Sequence, residues 1–307
     1  MQGQTASYVI TSLVTAPISA ALTTLANIKD DLDIEEDDND ARLTRYIGEE
    51  SAGIARYCNR IFGLATWQDE FRPQRGVWGE GVRAANNPLK LTRWPLVSAV
   101  VSFTGNTHSS TLVDGIASTT GLLAGQPVFG TGIPSGTTIK TVMPYAVLLS
   151  APATSAVSAV SLTAGMSVIE TVAGVDTQLV QGTDFEVDLG SRLPGDDGVG
   201  AIYRLNQLGN PRTWSASKVT VIYQAGYTLP ADIPQCGVAL PQDLQRVCDR
   251  LVVARYSARD RDPLLRAQEQ PGLGRTEYWI GASPGQSGPY PNDITAVLDK
   301  YRTPVFA

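Results

Sequence analysis

Two helix-forming blocks, residues 23–62 and 240–267, flank a long stretch whose apolar residues recur at every second position. In the first block Leu43, Ile47, Ile54, Tyr57, Cys58 and Ile61 fall three, four and seven apart, which lays one apolar stripe along a helix. In the second, Leu244, Val247, Cys248, Leu251, Val252 and the aliphatic stem of Arg255 form a matching stripe. Each stripe needs a surface to bury it, so the second block is expected to pack on the first. The fold class implied is α+β: a small α-helical bundle with a β subdomain, plus an inserted all-β module and an extended C-terminal tail.

Capping residues set the boundaries. Thr23 or Thr24 starts a short helix over about 23–32, and Asn39 or Asp40 starts a longer one over about 40–61. Pro241 suits the first turn of a third helix over about 242–260, and Asn292 or Asp293 caps a short one over about 292–301. Residues 1–22 read as an extended N-terminal arm, and 268–307 as an extended, Gly- and Pro-rich tail. Strands are expected at 90–92, 97–103, 168–172, 185–187, 201–205 and 219–223, bounded by Gly, Pro and Asp turns.

Residues 104–166 differ from their surroundings. They hold one acid (Asp114), one Lys (Lys140) and the only His (His108), among many Ser, Thr, Gly, Ala and Val. Short β-branched runs at 111–113, 127–129, 137–142, 146–150 and 157–163 predict a small all-β module. Excising it joins Ser98-Ala99-Val100-Val101-Ser102 to Val168-Ile169-Glu170-Thr171-Val172 as one strand-like run. The expectation is a module inserted at a hairpin tip, between the two halves (23–103 and 167–267) of one core.

Charge and cysteine usage exclude several functions. A net charge of −6 and a pI near 4.9 oppose tight wrapping of nucleic acid, although an acidic wall can surround a sliding duplex. Three cysteines (Cys58, Cys236, Cys248) have no metal-binding spacing, and Cys58 and Cys248 lie on apolar stripes, as buried reduced thiols would. No apolar run reaches membrane-spanning length, and no Lys or Arg precedes Lys29 as in a signal peptide, so cytoplasmic synthesis is expected.

Catalytic patterns are weak. Gly130-x-Gly132-x-x-x-Gly136 lacks the Gly-Lys-[Ser/Thr] ending of a phosphate loop and reads as turns around Pro134. His108, beside Ser109 and Ser110, has no partner pattern for nucleophilic catalysis. The pairs Asp184/Asp188 and Asp196/Asp197 have glycosidase-like composition, yet Gly195-Asp196-Asp197-Gly198 is first a turn. The expectation is no enzyme activity, no catalytic residues, no metal and no cofactor.

Two features suit assembly. The acidic run 30–40 fails the EF-hand pattern, since counting from Asp31 the sixth and twelfth positions hold Glu36 and Arg42. Its first reading is a solvated loop whose acids favour the next helix N-terminus. Its second is an acidic ring, built from Asp33, Glu35, Glu36, Asp37 and Asp38 of several copies, beside DNA or a basic partner. The tail aromatics Tyr278, Trp279, Tyr290, Tyr301 and Phe306 are candidate partner contacts, with packing on their own subunit as the other reading.

Several segments, in order, resemble the head–tail connector (adaptor, or head-completion) proteins of tailed bacteriophages. They are Leu25-Ala26-Asn27-Ile28-Lys29-Asp30-Asp31-Leu32-Asp33-Ile34, Asp38-Asn39-Asp40-Ala41-Arg42-Leu43, Ala65-Thr66-Trp67-Gln68 and Leu91-Thr92-Arg93-Trp94-Pro95-Leu96. Gly182-Thr183-Asp184-Phe185 and Val219-Thr220-Val221-Ile222-Tyr223-Gln224-Ala225-Gly226-Tyr227 complete the set, within 13–102 and 168–267. The resemblance implies a structural virion protein of the neck, a ring of about twelve copies closed by identical head-to-tail contacts. Its partners would be the portal protein above, a neck, stopper or tail protein below, and double-stranded DNA passing through the channel without sequence-specific binding. No membrane is implied. The string 128–139 with Val147-Leu148-Leu149-Ser150 also resembles β modules of phage structural proteins. The alternative is a phage adhesion or carbohydrate-binding protein that uses this module as its binding face.

Overall fold

The computed structural model describes residues 8–73, 88–97, 101–134, 136–189, 200–232, 238–259, 267–270, 274–277 and 290–303. In chain order the strands begin with β1 (Tyr8–Thr15), β2 (Ala65–Arg72), β3 (Leu89–Lys90), β4 (Leu96–Val97), β5 (Val101–His108), β6 (Leu112–Asp114) and β7 (Val128–Gly130). They continue with β8 (Ile139–Met143), β9 (Ala146–Leu149), β10 (Ala156–Ala164), β11 (Ser167–Val172), β12 (Val175–Leu179) and β13 (Phe185–Asp188). The rest are β14 (Ala201–Leu205), β15 (Pro211–Arg212), β16 (Lys218–Ala225), β17 (Tyr227–Thr228), β18 (Val238–Ala239), β19 (Ala267–Gln270) and β20 (Gly274–Glu277). The helices are α1 (Leu25–Asp31), α2 (Asp40–Tyr57), α3 (Gln242–Ser257) and α4 (Asn292–Leu298), the last running into a 3-10 turn, Asp299–Tyr301. The fold is α+β.

Contacts divide the chain into two units, Met1–Ile18 with Leu64–Gly226, and Ser19–Gly63 with Tyr227–Ala307. In the helical unit the stripes meet as their spacing requires. Leu43, Ile47 and Ile54 of α2, with Cys58 just beyond it, share one core with Leu244, Val247, Cys248, Leu251 and Val252 of α3. Thr24 caps α1, its hydroxyl accepting from Asn27 N–H at 3.3 Å. Two stripe residues fall elsewhere. The longer helix stops at Tyr57, Asn59 turns the chain in a left-handed conformation (φ 49°), and Ile61 is left 41% exposed. In α3 the inward residue is Tyr256, while Arg255 turns to Glu49 and Glu50 and stacks on Tyr46.

The β unit carries a six-stranded sheet, ordered β1-β2-β16-β11-β12 with β4 also on β16, and a four-stranded sheet of β13, β14, β15 and β3. The two share a core of Trp67, Phe71, Leu89, Val168, Phe185, Ile202, Val219, Val221 and others. Within the expected N-terminal arm, Tyr8–Thr15 is extended as β1 and hydrogen-bonded along β2 as the edge of the larger sheet.

A second six-stranded sheet, β7-β10-β5-β6-β9-β8, is formed wholly by residues 101–164 around a core of its own. Its entry explains how it fits. Leu96 and Val97 pair with Ala225 and Gln224, and Ser167 through Thr171 pair with Ile222 through Lys218. Both segments thus run antiparallel along the same side of β16, one picking up almost where the other stops. The module leaves through β5 and returns through β10, which pair with each other from Val101↔Ala164 onward. The insertion point lies within a strand, not at the hairpin tip expected from sequence, and the expected strand 97–103 is split accordingly.

Candidate functional site

The acidic loop of the helical unit is held at both ends. Lys29, on the last turn of α1, reaches across to Asp37 at 2.7 Å and Asp40 at 3.0 Å. These contacts raise the lysine's pKa, through Asp37 first, and hold the Asp37 carboxyl below its ordinary value, through the Lys29 hydrogen bond first. Asp33 takes a left-handed backbone (φ 54°), and Ile34 N–H donates to the Lys29 carbonyl at 3.0 Å, which closes the turn after α1. One lysine therefore neutralises the inner acids and leaves the outer ones. Asp33, Glu35, Glu36 and Asp38 are exposed and make no ion pair with the described residues. Chemically, this is a surface for a cation or a basic side chain rather than a built metal cage, and no group of three metal-ligating side chains occurs among the described residues.

The tail aromatics divide. Tyr301 is buried at 4% exposure, edge-on to Phe62 (centroids 6.5 Å apart), and its hydroxyl donates to Asp243 at 2.7 Å. Tyr290 is half-buried and edge-on to Tyr57 at 5.6 Å, and burial pushes its phenol up to about 12. A Cβ at Gly53 would stand 2.7 Å from the Tyr290 hydroxyl, so only glycine leaves room there for the ring. Tyr57 in turn donates to Asp299 at 2.9 Å. With Ile294 and Leu298 in the same core, α4 docks this part of the tail on its own subunit. Tyr278, Trp279 and Phe306 lie outside the described residues.

Among the described residues, the remaining chemical candidates lie in separate places. Gly130 ends β7 and glycines 132 and 136 sit in turns, with Ile133 N–H donating to the Gly130 carbonyl and Thr137 N–H to that of Pro134. His108 ends β5 and meets Asp114 at 3.0 Å, both about half exposed. Asp184 accepts from Val180 N–H at 3.0 Å and sits 3.4 Å from Arg204. Asp196 and Asp197 lie outside the described residues. A shallow cleft of about 320 Å³ runs between the module and the larger sheet, lined by Phe129, Ile133, Ser167, Ile169, Asp176 and Gln178 among others. No helix among the described residues is long and apolar enough to cross a membrane.

The sequence pattern assigned no strand to β1, β2 or β12 of the larger sheet. β12 escaped it because Asp176, Thr177 and Gln178 break any apolar alternation. β1 was visible only as apolar pairs, since it carries apolar residues on both faces and so has no period of two.

No protein-family model matches this chain, and no curated protein matches it. The solved structures that overlap with it include two from gene transfer agent particles. A chain from "Virion of native gene transfer agent (GTA) particle" is 14% identical with a TM-score of 0.34, over 97% of each chain. A chain from "Neck of empty GTA particle computed with C6 symmetry" is 15% identical with a TM-score of 0.35, again over 97% of each.

Proposed function

We propose that this chain is a structural subunit of a phage-like particle, a head–tail connector that forms a ring below the portal and extends the DNA channel. The ring would offer a docking platform to the next neck or tail protein, and the chain would reside in the virion neck without catalytic activity. One observation carries the reading. The segments that resemble connector proteins fall on α1, the start of α2, β2, the 91–96 strap, the turn into β13, and β16 with β17; all but the turn into β13 help to build the helical core or the larger sheet and the core beneath it. The resemblance therefore follows the scaffold, and the module is an addition to it. The acidic loop supports the channel role, since exposed carboxylates beside a duplex repel phosphate and let it slide.

Negative-stain imaging of the chain mixed with the portal protein of the same particle tests this. A ring added to one end of the portal is the expected result. Two folded proteins with no added density would refute it. The alternative, glycan binding by the module, draws on the cleft beside Phe129, whose aromatic face and amide and carboxylate neighbours are groups a sugar can use. Binding of cell-surface glycan by the full chain, lost on Phe129→Ala, would favour it.

A further inference from the structure

The larger sheet ends in two strands that have no outer neighbour among the described residues, β1 at one edge and β12 at the other. β1 has neither a charged residue nor a proline from Tyr8 to Thr15, so it lacks two of the devices that normally keep an edge from recruiting another strand. One register shift between Leu13 and Thr15 is its only irregularity. Its apolar side chains are open on both faces: Tyr8 is 47% exposed, Ile10 51% and Leu13 44%. At the opposite edge Val175 is 66% exposed. The one acid of β12, Asp176, is engaged by the Thr171 hydroxyl at 2.6 Å within its own sheet.

The edges also match in direction and pattern. Pairings Val9↔Phe71, Thr11↔Asp69 and Leu13↔Trp67 put Val9, Thr11 and Leu13 on the face that bears Phe71 and Trp67. Pairings Val172↔Val175, Glu170↔Thr177 and Val168↔Leu179 put Val175, Thr177 and Leu179 on the face of Val168, which belongs to the same core. The steps from β1 to β2, β16, β11 and β12 are all antiparallel, so β12 runs in the same direction as β1. Along that direction both core-side rows read Val, Thr, Leu.

We infer that the β1 edge of one copy pairs in parallel with the β12 edge of a second copy, Val9 beside Val175, Thr11 beside Thr177 and Leu13 beside Leu179. The partner is thus another copy of this chain, recognised by backbone hydrogen bonds along the edge and by like side chains across it. Pairing of β1 with β1 would run antiparallel, stop at two copies and leave β12 open. The β1–β12 contact uses different surfaces on the two copies, so it repeats from copy to copy and closes where the rotation allows. The inference deepens the connector reading and rests on it for ring closure.

A Val9→Cys/Val175→Cys chain tests it, in a Cys236→Ser background because Cys58 and Cys248 are fully buried. The purified full-length protein would be oxidised mildly, alone and with portal. The expected result is a ladder of disulfide-linked multimers beyond the dimer. Each single variant should give no cross-link, and an equal mixture of the two should stop at the dimer. Ile10→Lys should weaken self-association by roughly tenfold or more with an unchanged circular dichroism spectrum. Dimers from Val9→Cys alone, no ladder under either condition, or undiminished association of Ile10→Lys would each overturn the inference. Rings on the portal without the 9–175 cross-link would leave the connector reading standing and sink this contact. A ladder with no ring on the portal would do the reverse.

Discussion

Tyr223 on β16 donates its phenolic hydrogen to Asp69 Oδ2 on β2 at 2.7 Å, and this bond sits at the centre of a buried cluster. The same carboxylate accepts from the Thr92 backbone N–H (2.8 Å), the Thr92 hydroxyl (2.8 Å) and the Thr11 hydroxyl (2.7 Å). Four donors from three other segments thus meet on one carboxylate that is fully out of water. Burial, then the Asp69 charge, raises the Tyr223 pKa far above that of an ordinary tyrosine, so the phenol stays a donor. Its oxygen also accepts from Arg93 N–H at 3.1 Å, which ties the 91–96 strap to the sheet.

Tyr223→Phe removes one donor from a buried charge and one acceptor from a backbone N–H. A loss of about 1.5–3 kcal/mol is expected, because a hydrogen bond to a charged group is being broken without replacement. Urea titration of variant and parent gives the value. A midpoint equal to that of the parent would show that water replaces the phenol and that the cluster is not a rigid pin.

An ion pair bridges the larger sheet and the four-stranded sheet. Arg204 Nε and Nη2 lie 3.2 and 3.1 Å from Glu170 Oε2, with both side chains under 10% exposed. Arg204 Nη1 also donates to the carbonyls of Asp184 and Leu205. Arg204→Met leaves Glu170 charged and buried, and should cost about 3–5 kcal/mol. Adding Glu170→Leu removes the stranded charge and should restore much of the loss. A double-mutant cycle in urea measures both steps, and strictly additive losses would contradict the coupling.

The helical unit should lose stability in alkali. Burial pushes the thiols of Cys58 and Cys248 up to about 12 and the phenol of Tyr290 up to about 12. In the unfolded chain the thiols titrate near 9.0 and the phenol near 10.0, so the unfolded state loses these protons first. The stabilisation is complete below pH 9 and is lost as pH rises towards 12. Thermal midpoints of the parent should fall across that window, and those of Cys58→Ala/Cys248→Ala more gently. Parallel slopes would show that the thiols are not the cause.

The helices were legible because burial requires a regular stripe, and every predicted stripe residue from Leu244 to Val252 is in the core. Where the stripe misled, a local event intervened: the left-handed turn at Asn59 released Ile61, and the carboxylates of Glu49 and Glu50 drew Arg255 outward. The acidic loop was plain as a charge run, but its clamp by Lys29 needs α1 and α2 folded before the partners are near. The position of β1 depends on β2, more than fifty residues away, and no local pattern encodes that pairing. The docking of α4 was hidden for the same reason, since Tyr301 finds Phe62 and Asp243 only in three dimensions.

That docking changes how the tail can be tested. Removing residues 290–307 strips Ile294, Leu298 and Tyr301 from the helical core. Each apolar side chain lost exposes surface worth about 1.5–3 kcal/mol, so the truncated chain should melt well below the parent with no partner present. Calorimetry on the isolated chain checks this. An unchanged midpoint would mean that the helix docks without contributing to stability. Tests of portal binding are therefore better made with Trp279→Ala, which spares α4.

Excision of the module makes the sharpest distinction between scaffold and addition. Replacing residues 98–166 with one residue should let Val97 run on into Ser167 along β16, because Val97 and Ser167 already pair with Gln224 and Ile222, one position short of adjacent on that strand. The shortened chain loses the Thr66 hydroxyl bond to the Gly125 carbonyl (2.5 Å) and the Gln224 bond to that of Ala124 (3.2 Å). Two such bonds are worth about 1–3 kcal/mol together, and among the described residues the core of the two sheets loses Met166 alone. The variant should fold, with the near-ultraviolet signal of Trp67 and Trp214 retained, and should still add to the portal. A molten or aggregated product would make the module part of the scaffold. A folded product that no longer joins the particle would move the partner surface onto the module.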